Sequence, residues 1–558
     1  MISNNLKDNL YRVFLCLFLL LILIIVFILS SVPPISRDAL VHHLAVPKLY
    51  IEARKIIELP CMSYSYFPMN LDMLYLIPLY FGNDIIPKFI HFSFALFTSF
   101  LIYNYLKKRL DKNYSIFGAF LFLSVPIIIK LSITVYVDLG LLFFSASSLI
   151  LLFEWVNSKF KLKYLVFSGV FCGLAMGTKY NGLITFFIIS MFVPFFYSRF
   201  SGVKKYISLK SCSFGIFFVF IALAVFSPWM ARNYIWKGNP VYPLYNKYFN
   251  IKNENLCKVH EGIVYEESLG INLFKKRELF YNETPLDMAL LPVRIFFQGK
   301  DNDFQFFDGK LSALLFFLPI IAFIPYGKKD EFEYEKKAML IFSALFFFFA
   351  FFSSVVRIRY FAPVISFLVI LSVFGIKKFN LIVSEKFKKY KKFLFPLFYG
   401  SIALYLIIYN GGYIKHQFEY VKPFKYINGE LSRTQYISMF RKEYPAFEFI
   451  NENLPETSNI LFFYLGKRGY YCDRNYVPDE GRSIFFLYYL VRTFENADDI
   501  SKELEKRGVT HFLFNNKFVK ERIAEDLKNK ETEILLNFIN LNTKKMYDDF
   551  GFSLYEIK

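Results

Sequence analysis

The stretch SVPPISRDALVHHLAVPKLYIEARK, residues 31–55, decides how this chain is read. Before it, residues 13–32 form an uncharged apolar run of about 20 residues, long enough to cross a bilayer as one helix. Pro33 and Pro34 end that helix, so Asp38 falls at a membrane surface. Beyond Asp38, the apolar Leu40, Leu44, Val46, Leu49, Tyr50 and Ile51 interleave with His42, His43, Lys48, Glu52, Arg54 and Lys55. That pattern predicts an amphipathic helix lying in the interface. Asp38 then has two readings. It caps the helix, as Asp often does, or it is a carboxylate that reaches an aqueous acceptor and a membrane-bound donor from one position.

Composition bounds the rest. The 558 residues are 55% hydrophobic and 21% aromatic, with a mean hydropathy of +0.36. This is too apolar for a soluble multidomain enzyme and predicts a polytopic membrane protein. The formal net charge of +20 does not point to nucleic acid, because most of the Lys and Arg excess lies in short loops between apolar runs, where it signals orientation. The first run is too long for a signal-peptide core and no small-residue cleavage site follows it, so it reads as retained. Six cysteines (Cys16, Cys61, Cys172, Cys212, Cys257, Cys472) show no ligand spacing and support neither a zinc site nor a disulfide framework.

Further apolar runs occur at 84–106, 114–130, 136–156, 164–178, 182–197, 211–229, 311–326, 338–356, 360–376 and 393–410. Together with 13–32 they predict about eleven transmembrane helices. Positive charge gathers in alternate connections: Lys7 and Arg12, then 107–112, 159–163, 199–210, 328–337 and 377–392. By the positive-inside rule these connections and the N-terminus are cytoplasmic, and the loops at 33–83 and 230–310 face outward. The expected division is a membrane domain over 1–410 and a soluble extracytoplasmic α/β domain over 411–558. In the tail a helix at 444–453, a strand at 459–464, a polar helix ADDISKELEKRG and strands VTHFLF and GFSLYEI support that class. No catalytic spacing stands out there, so the tail reads as a lid or recognition module.

Charged residues at the ends of spanning helices are costly and therefore informative. Asp138 begins an apolar run on the side of Asp38, either as a helix-start acid favoured by the dipole or as a second acid in a shared cavity. Lys179 and Tyr180 lie in GLAMGTKYNGL, where Gly173, Gly177 and Gly182 permit close helix approach or a tight turn. Lys179 is either a snorkelling lysine or a cation for a phosphate. Arg357 and Arg359, in SSVVRIRYFAPVISF, either meet lipid headgroups or clamp the phosphate of a lipid-linked substrate through paired hydrogen bonds.

Several of these stretches, in order, resemble the GT-C superfamily of polyprenyl-phosphate-sugar-dependent glycosyltransferases. They are RDALVHHLAVPKLY (37–50), YFPMNLDMLY (66–75), YVDLGLLFF (136–144), GTKYNGL (177–183), SPWMARNYIWKGNPVYPLY (227–245) and RYFAPVI (359–365). The nearest likeness is to the bacterial branch grouping with dolichyl-phosphate-mannose protein mannosyltransferases (family 39), and it is similar to lipid A aminoarabinose transferases. The resemblance implies an all-α polytopic fold with an outward C-terminal domain. It assigns Asp38 as the catalytic acid of the first outward loop and Asp138 as the second acidic position. Family members commonly have a second acid beside the first-loop Asp; here its neighbours are Arg37 and Ala39, and Asp72 is only a distant substitute. No metal or other cofactor is expected.

The implied reaction is inverting transfer of a hexosyl or pentosyl group from a polyprenyl-phosphate donor to a hydroxyl of lipid A, a polysaccharide or a protein, at the outer side of the cell (inner) membrane. Asp38 is the expected general base. Arg359, with Arg357, Lys179 and Tyr180, is expected to hold the donor phosphate. Arg37, His42, His43 and Tyr360 are candidate substrate contacts. The rival reading is a transporter or flippase of a lipid-linked anion, for which internal repeats or paired broken helices are expected and are not visible in the sequence.

Overall fold

The computed structural model describes residues 2–202, 208–249, 257–260, 272–327, 331–352, 356–479 and 483–558. Of the positions named above, Lys204, Lys205, Lys328, Lys329 and the Ser353–Val355 part of the arginine stretch lie outside the described residues, as do 250–256 and 261–271 of the second long loop.

Every apolar run forms helix. The order is α1 (Ile2–Ser30), α2 (Ala45–Glu52), α3 (Asn70–Tyr80), α4 (Ile86–Arg109), α5 (Lys112–Ser124), α6 (Pro126–Ser132), α7 (Asp138–Asn157), α8 (Leu162–Thr178), α9 (Gly182–Phe200) and α10 (Leu209–Lys237). Short helices α11 (Leu273–Tyr281), α12 (Pro285–Ala289) and α13 (Leu291–Arg294) cross the second loop. After them come α14 (Leu314–Ile321), α15 (Glu333–Phe351), α16 (Ala362–Glu385) and α17 (Lys391–Tyr405). Among the described residues seven helices are long and apolar enough to cross a membrane, or eight if the α5–α6 pair, bent by 66°, is counted as one span. Pro126 breaks that pair by removing a helical donor. The remaining runs are shorter, like α8, or carry charge at one end, like α15 with Glu333 and Glu335.

Helices α7 and α16 are buried along most of their length, whereas α1 and α10 show a broad outer face, so the bundle is built around the former pair. Small residues set the spacing: a Cβ on Gly173 would lie 2.6 Å from the Ala222 carbonyl oxygen of α10. The last bundle helix does not stop at residue 410. It continues through a π-turn (Leu406–Asn410) into α18 (Gly411–Val421), so the expected boundary falls inside a helix.

The tail adds α19 (Pro423–Ile427), α20 (Arg433–Phe440) and α21 (Tyr444–Asn453), then a five-stranded sheet of order β2-β1-β3-β5-β4. Its strands are β1 (Asn459–Phe463), β2 (Asn475–Val477), β3 (His511–Asn515), β4 (Thr543–Asp549) and β5 (Phe552–Ile557). β1 pairs in parallel with β2 and β3, and β5 runs antiparallel to both β3 and β4. Alternation explains the two-faced core: Leu461, Phe463, Phe512 and Phe514 pack on one side, Ile460, Phe462 and Leu513 on the other.

This domain sits on the first loop. Lys48 Nζ donates to the carbonyls of Tyr470 and Cys472, each at 3.0 Å, and pairs with Asp473 at 2.5 Å. Arg433 pairs with Asp84 at 2.5 Å, Tyr471 Oη donates to the Pro34 carbonyl, and Arg441 to that of Ile35. Residues 39–50 are accordingly mostly buried in protein rather than laid on a lipid interface. A disulfide, Cys61–Cys257, ties the first loop to the second, 196 residues on. This corrects the expectation that the cysteines form no bridge; a pairing over that separation leaves no spacing signal in the sequence.

Candidate active site

The chain around Asp38 leaves α1 through the Pro-Pro pair and enters a five-residue π-turn, Ala39–His43, closed by the Leu44 N–H on the Ala39 carbonyl at 2.9 Å. Asp38 precedes the turn but its side chain makes no capping hydrogen bond. Arg359 Nη2 donates to its Oδ2 at 2.6 Å instead, so the carboxylate is held by a guanidinium and not by the turn it precedes. Burial raises the Asp38 carboxyl, yet the Arg359 guanidinium overrides it and holds the group well below the usual carboxylate range. The Nε atoms of Arg359 and Arg357 are buried without hydrogen-bond partners, and Arg357 has no acidic partner among the described residues.

Beneath Asp38 lie the two histidines. His43 Nδ1 is 2.6 Å from Asp72 Oδ1, with both side chains buried. Burial pushes the Asp72 carboxyl up to about 7 and the His43 imidazole down to about 3. Asp72 is therefore no distant substitute: α3 brings it directly to the site. His42 lies between His43 and Tyr64, tilted against the first and stacked on the second, with ring centroids at 3.9 and 4.8 Å.

Lys179 at the end of α8 pairs with Asp138 at the start of α7, Nζ to Oδ1 at 2.7 Å. Tyr360 is the common face of three cations, with Lys179, Arg359 and Arg357 at 4.9, 5.4 and 5.8 Å from its ring centroid. Tyr180 is turned away, donating to the Tyr242 carbonyl at 2.6 Å and accepting from Asn233. It and Asp138 line neither of the cavities at Asp38.

Two cavities meet at Asp38, sharing Arg37, Asp38, Arg357 and Arg359 as walls. The smaller, of about 160 Å³, is completed by His42, His43, Asp72, Lys179 and Tyr360, and by Tyr64 and Lys467, the last supplied by the C-terminal domain. The larger, of about 460 Å³, opens along apolar residues of α1 and α6 and carries Lys130, which pairs with Asp301 and Asp308 at 3.3 and 2.9 Å. Eight of the ten expected site residues thus converge. Asp72 lay within a stretch singled out for its resemblance, whereas nothing in the sequence connects Lys467 with a site more than four hundred residues earlier. A metal in the first loop would need a donor set that is missing: Arg37 stands where a second acid is common, Asp38 is engaged by Arg359, and no group of three His, Cys, Asp or Glu suited to a metal occurs among the described residues.

The bundle, the loops and the outboard domain are those of the GT-C fold of membrane glycosyltransferases. Within that class, a family model described as dolichyl-phosphate-mannose-protein mannosyltransferase matches residues 82–231. ArnT from Cupriavidus metallidurans in the apo state is similar at a TM-score of 0.56 and 12% identity, with 97% of each chain covered. The same enzyme bound to undecaprenyl phosphate gives 0.54 and 14%, again over 97% of each chain. An Archaeoglobus fulgidus oligosaccharyltransferase tethered with an acceptor peptide gives 0.50 and 13%, over 97% of this chain and 74% of that one. No curated protein sequence matches the chain.

Proposed function

We propose that the protein transfers a sugar from a polyprenyl-phosphate donor to a hydroxyl of an envelope acceptor, at the extracytoplasmic face of the cell membrane. The observation that carries this reading is the Asp38–Arg359 pair at the junction of two cavities. Such a junction lets a donor phosphate and an acceptor hydroxyl approach one sugar carbon from opposite sides, which inverts the anomeric centre. Arg359 spends one N–H on Asp38 and keeps Nε for a phosphate oxygen, and Arg357 adds a second guanidinium. Both stabilise the charge that grows on the leaving phosphate. Asp38, ionised by its partner, accepts the hydrogen bond of the acceptor hydroxyl and orients it. The Asp138–Lys179 pair fixes Tyr360 and the cationic wall. The solved relative with undecaprenyl phosphate supports a polyprenyl-phosphate donor for this fold. Lipid A, a polysaccharide and a protein hydroxyl all suit the acceptor role. Residues 1–421 form the membrane region in this reading, and the tail is a lid over the acceptor side.

The test is mass spectrometry of envelope glycans from cells that lack the protein, complemented with wild type or Asp38→Asn. Loss of one glycan in the deletion, restored by wild type and not by a variant that still binds undecaprenyl phosphate, is expected. An unchanged glycan profile in the deletion would remove the proposal.

A further inference from the structure

We infer that the His43–Asp72 pair is the proton acceptor of the transfer, with His43 Nε2 taking the proton from the acceptor hydroxyl and Asp72 acting as the positioning residue behind it; this rests on the transferase reading above. Asp38 is poorly suited to that task. A carboxylate engaged by a buried guanidinium has little affinity for a proton, and proton transfer is most efficient when the acceptor's affinity suits the working pH. The buried His43 imidazole alone falls short as well, being pushed down to about 3, but paired with Asp72, whose carboxyl burial raises to about 7, it belongs to a unit that holds an added proton near neutrality, and the geometry presents that unit to the cavity. The His43 side chain is 7% exposed in a wall shared with Asp38, its Nδ1 is fixed at 2.6 Å by Asp72, and its Nε2 has no hydrogen-bond partner among the described residues.

The surroundings fix the ring rather than merely bury it. The His42 ring lies against it at 3.9 Å, Tyr136 is at 5.8 Å, and Tyr75, one turn along α3 from Asp72, donates to the Tyr136 carbonyl. An imidazole with Nδ1–H on a buried carboxylate keeps its Nε2 lone pair free to accept a proton, the same division of labour that orients the base in hydrolytic triads. In the reaction the acceptor oxygen forms its bond to the anomeric carbon as the bond from that carbon to the phosphate oxygen breaks. The electron pair leaves with the phosphate toward Arg359 and Arg357, the hydroxyl proton goes to His43 Nε2, and Asp72 balances the imidazolium. The proton returns to water once product departs.

The pair can accept a proton only when it already holds a single one, on Nδ1. Burial raises the proton affinity of Asp72, so the form with an extra proton, in which Nε2–H blocks acceptance, persists up toward neutral pH. The groups that face the pair are Asp38 and His42 from its own stretch, His91 from α4, Asp138 and Lys179 from α7 and α8, Arg359 from before α16, and the phenols of Tyr50, Tyr75 and Tyr136. Transfer should therefore fall about tenfold per pH unit on the acid side of neutrality, as one-proton titration requires.

The experiment uses the full chain in phosphatidylethanolamine–phosphatidylglycerol vesicles fused with membranes from the deletion strain, which supply donor and acceptor. Product is measured by mass spectrometry from acid to mildly alkaline pH, and undecaprenyl phosphate binding is measured in parallel. His43→Gln should lower the transfer rate by about a hundredfold or more with binding unchanged, and Asp72→Asn should remove the acid limb. If both variants keep the wild-type rate and acid limb, the inference is overturned. It is equally overturned if the wild-type profile has no such limb, a measurement that needs no variant to fold. Two controls separate the levels: loss of transfer in Asp38→Asn and Arg359→Ala alone refutes only the proton assignment, whereas wild-type vesicles that form no more product than protein-free ones refute the transferase reading.

Discussion

Arg359 and Asp38 stand 321 residues apart in the chain and meet at 2.6 Å, joining the entry of α16 to the exit of α1. Each is costly without the other, because a charge removed from water and left unpaired is strongly destabilising. Arg359→Ala should lower stability by about 3–5 kcal/mol, while Asp38→Asn together with Arg359→Gln should recover most of it without restoring transfer. Thermal unfolding in detergent reads the first effect and glycan analysis the second. Equal stability of single and double variants would contradict the pairing.

The same pair predicts an acid limit. The folded-state proton affinity of Asp38 is depressed below that of an unfolded chain, so its stabilisation is present above the ordinary carboxylate pKa of about 3.9 and is lost as pH falls below that value. Wild type should lose stability on acidification more steeply than Asp38→Asn. Unfolding midpoints in mildly and strongly acid buffer check it, and parallel slopes would refute it.

Asp138 predicts a parallel effect deeper in the bundle. It is fully buried, with Lys179 on Oδ1 and no hydrogen-bond partner for Oδ2. Lys179→Met should destabilise by about 3–5 kcal/mol and the added change Asp138→Asn should reverse most of that loss. A Lys179→Met variant as stable as wild type would show that Lys179 is not the ion that keeps Asp138 charged.

The apolar runs were legible because lipid demands about 20 apolar residues per crossing; each of the eleven contains helix, but among the described residues only seven, or eight counting the bent α5–α6 pair, are long and apolar enough to cross, fewer than the eleven expected. The cationic wall was legible too, since Arg357, Arg359 and Lys179 interrupt those runs where a charge costs most. What the residues alone could not reveal are contacts between distant segments. The interleaved pattern at 39–50 looks the same whether its apolar face meets lipid or, as here, the bundle core and the C-terminal domain. Asp72 lies in a short helix with no periodic mark of function, and its meeting with His43 depends on how α3 packs. β2 and β4 escaped notice because three and seven residues with few apolar positions give no alternation to follow.

Docking of the tail should depend on Lys48. Its ammonium is shared among two carbonyls and Asp473, and hydrogen bonds to a charged donor contribute about 1.5–3 kcal/mol, less here because Asp473 is half exposed. Lys48→Met should increase proteolytic cleavage between α18 and α21 several-fold and reduce transfer, since Lys467 rides on the same domain. Unchanged protease sensitivity would indicate that Arg433 and Asp84 hold the domain unaided.

The Cys61–Cys257 bridge offers a direct test of orientation. Disulfides persist in oxidising compartments, and this one lies at the end of the bundle that carries the site, whereas Cys212 stands near the start of α10, whose far end, at Lys237, pairs with Glu58 of the first loop. After mild reduction of intact cells, a membrane-impermeant maleimide should label Cys61 and Cys257 and leave Cys212 unlabelled until the membrane is permeabilised. Closing a loop this long should also stabilise by about 2–5 kcal/mol, so Cys61→Ala should lower the melting temperature even with every contact around Asp38 in place. Labelling of Cys212 in intact cells would put the site on the cytoplasmic face, where a reducing environment would not sustain the bridge, and the outward orientation would fall with it.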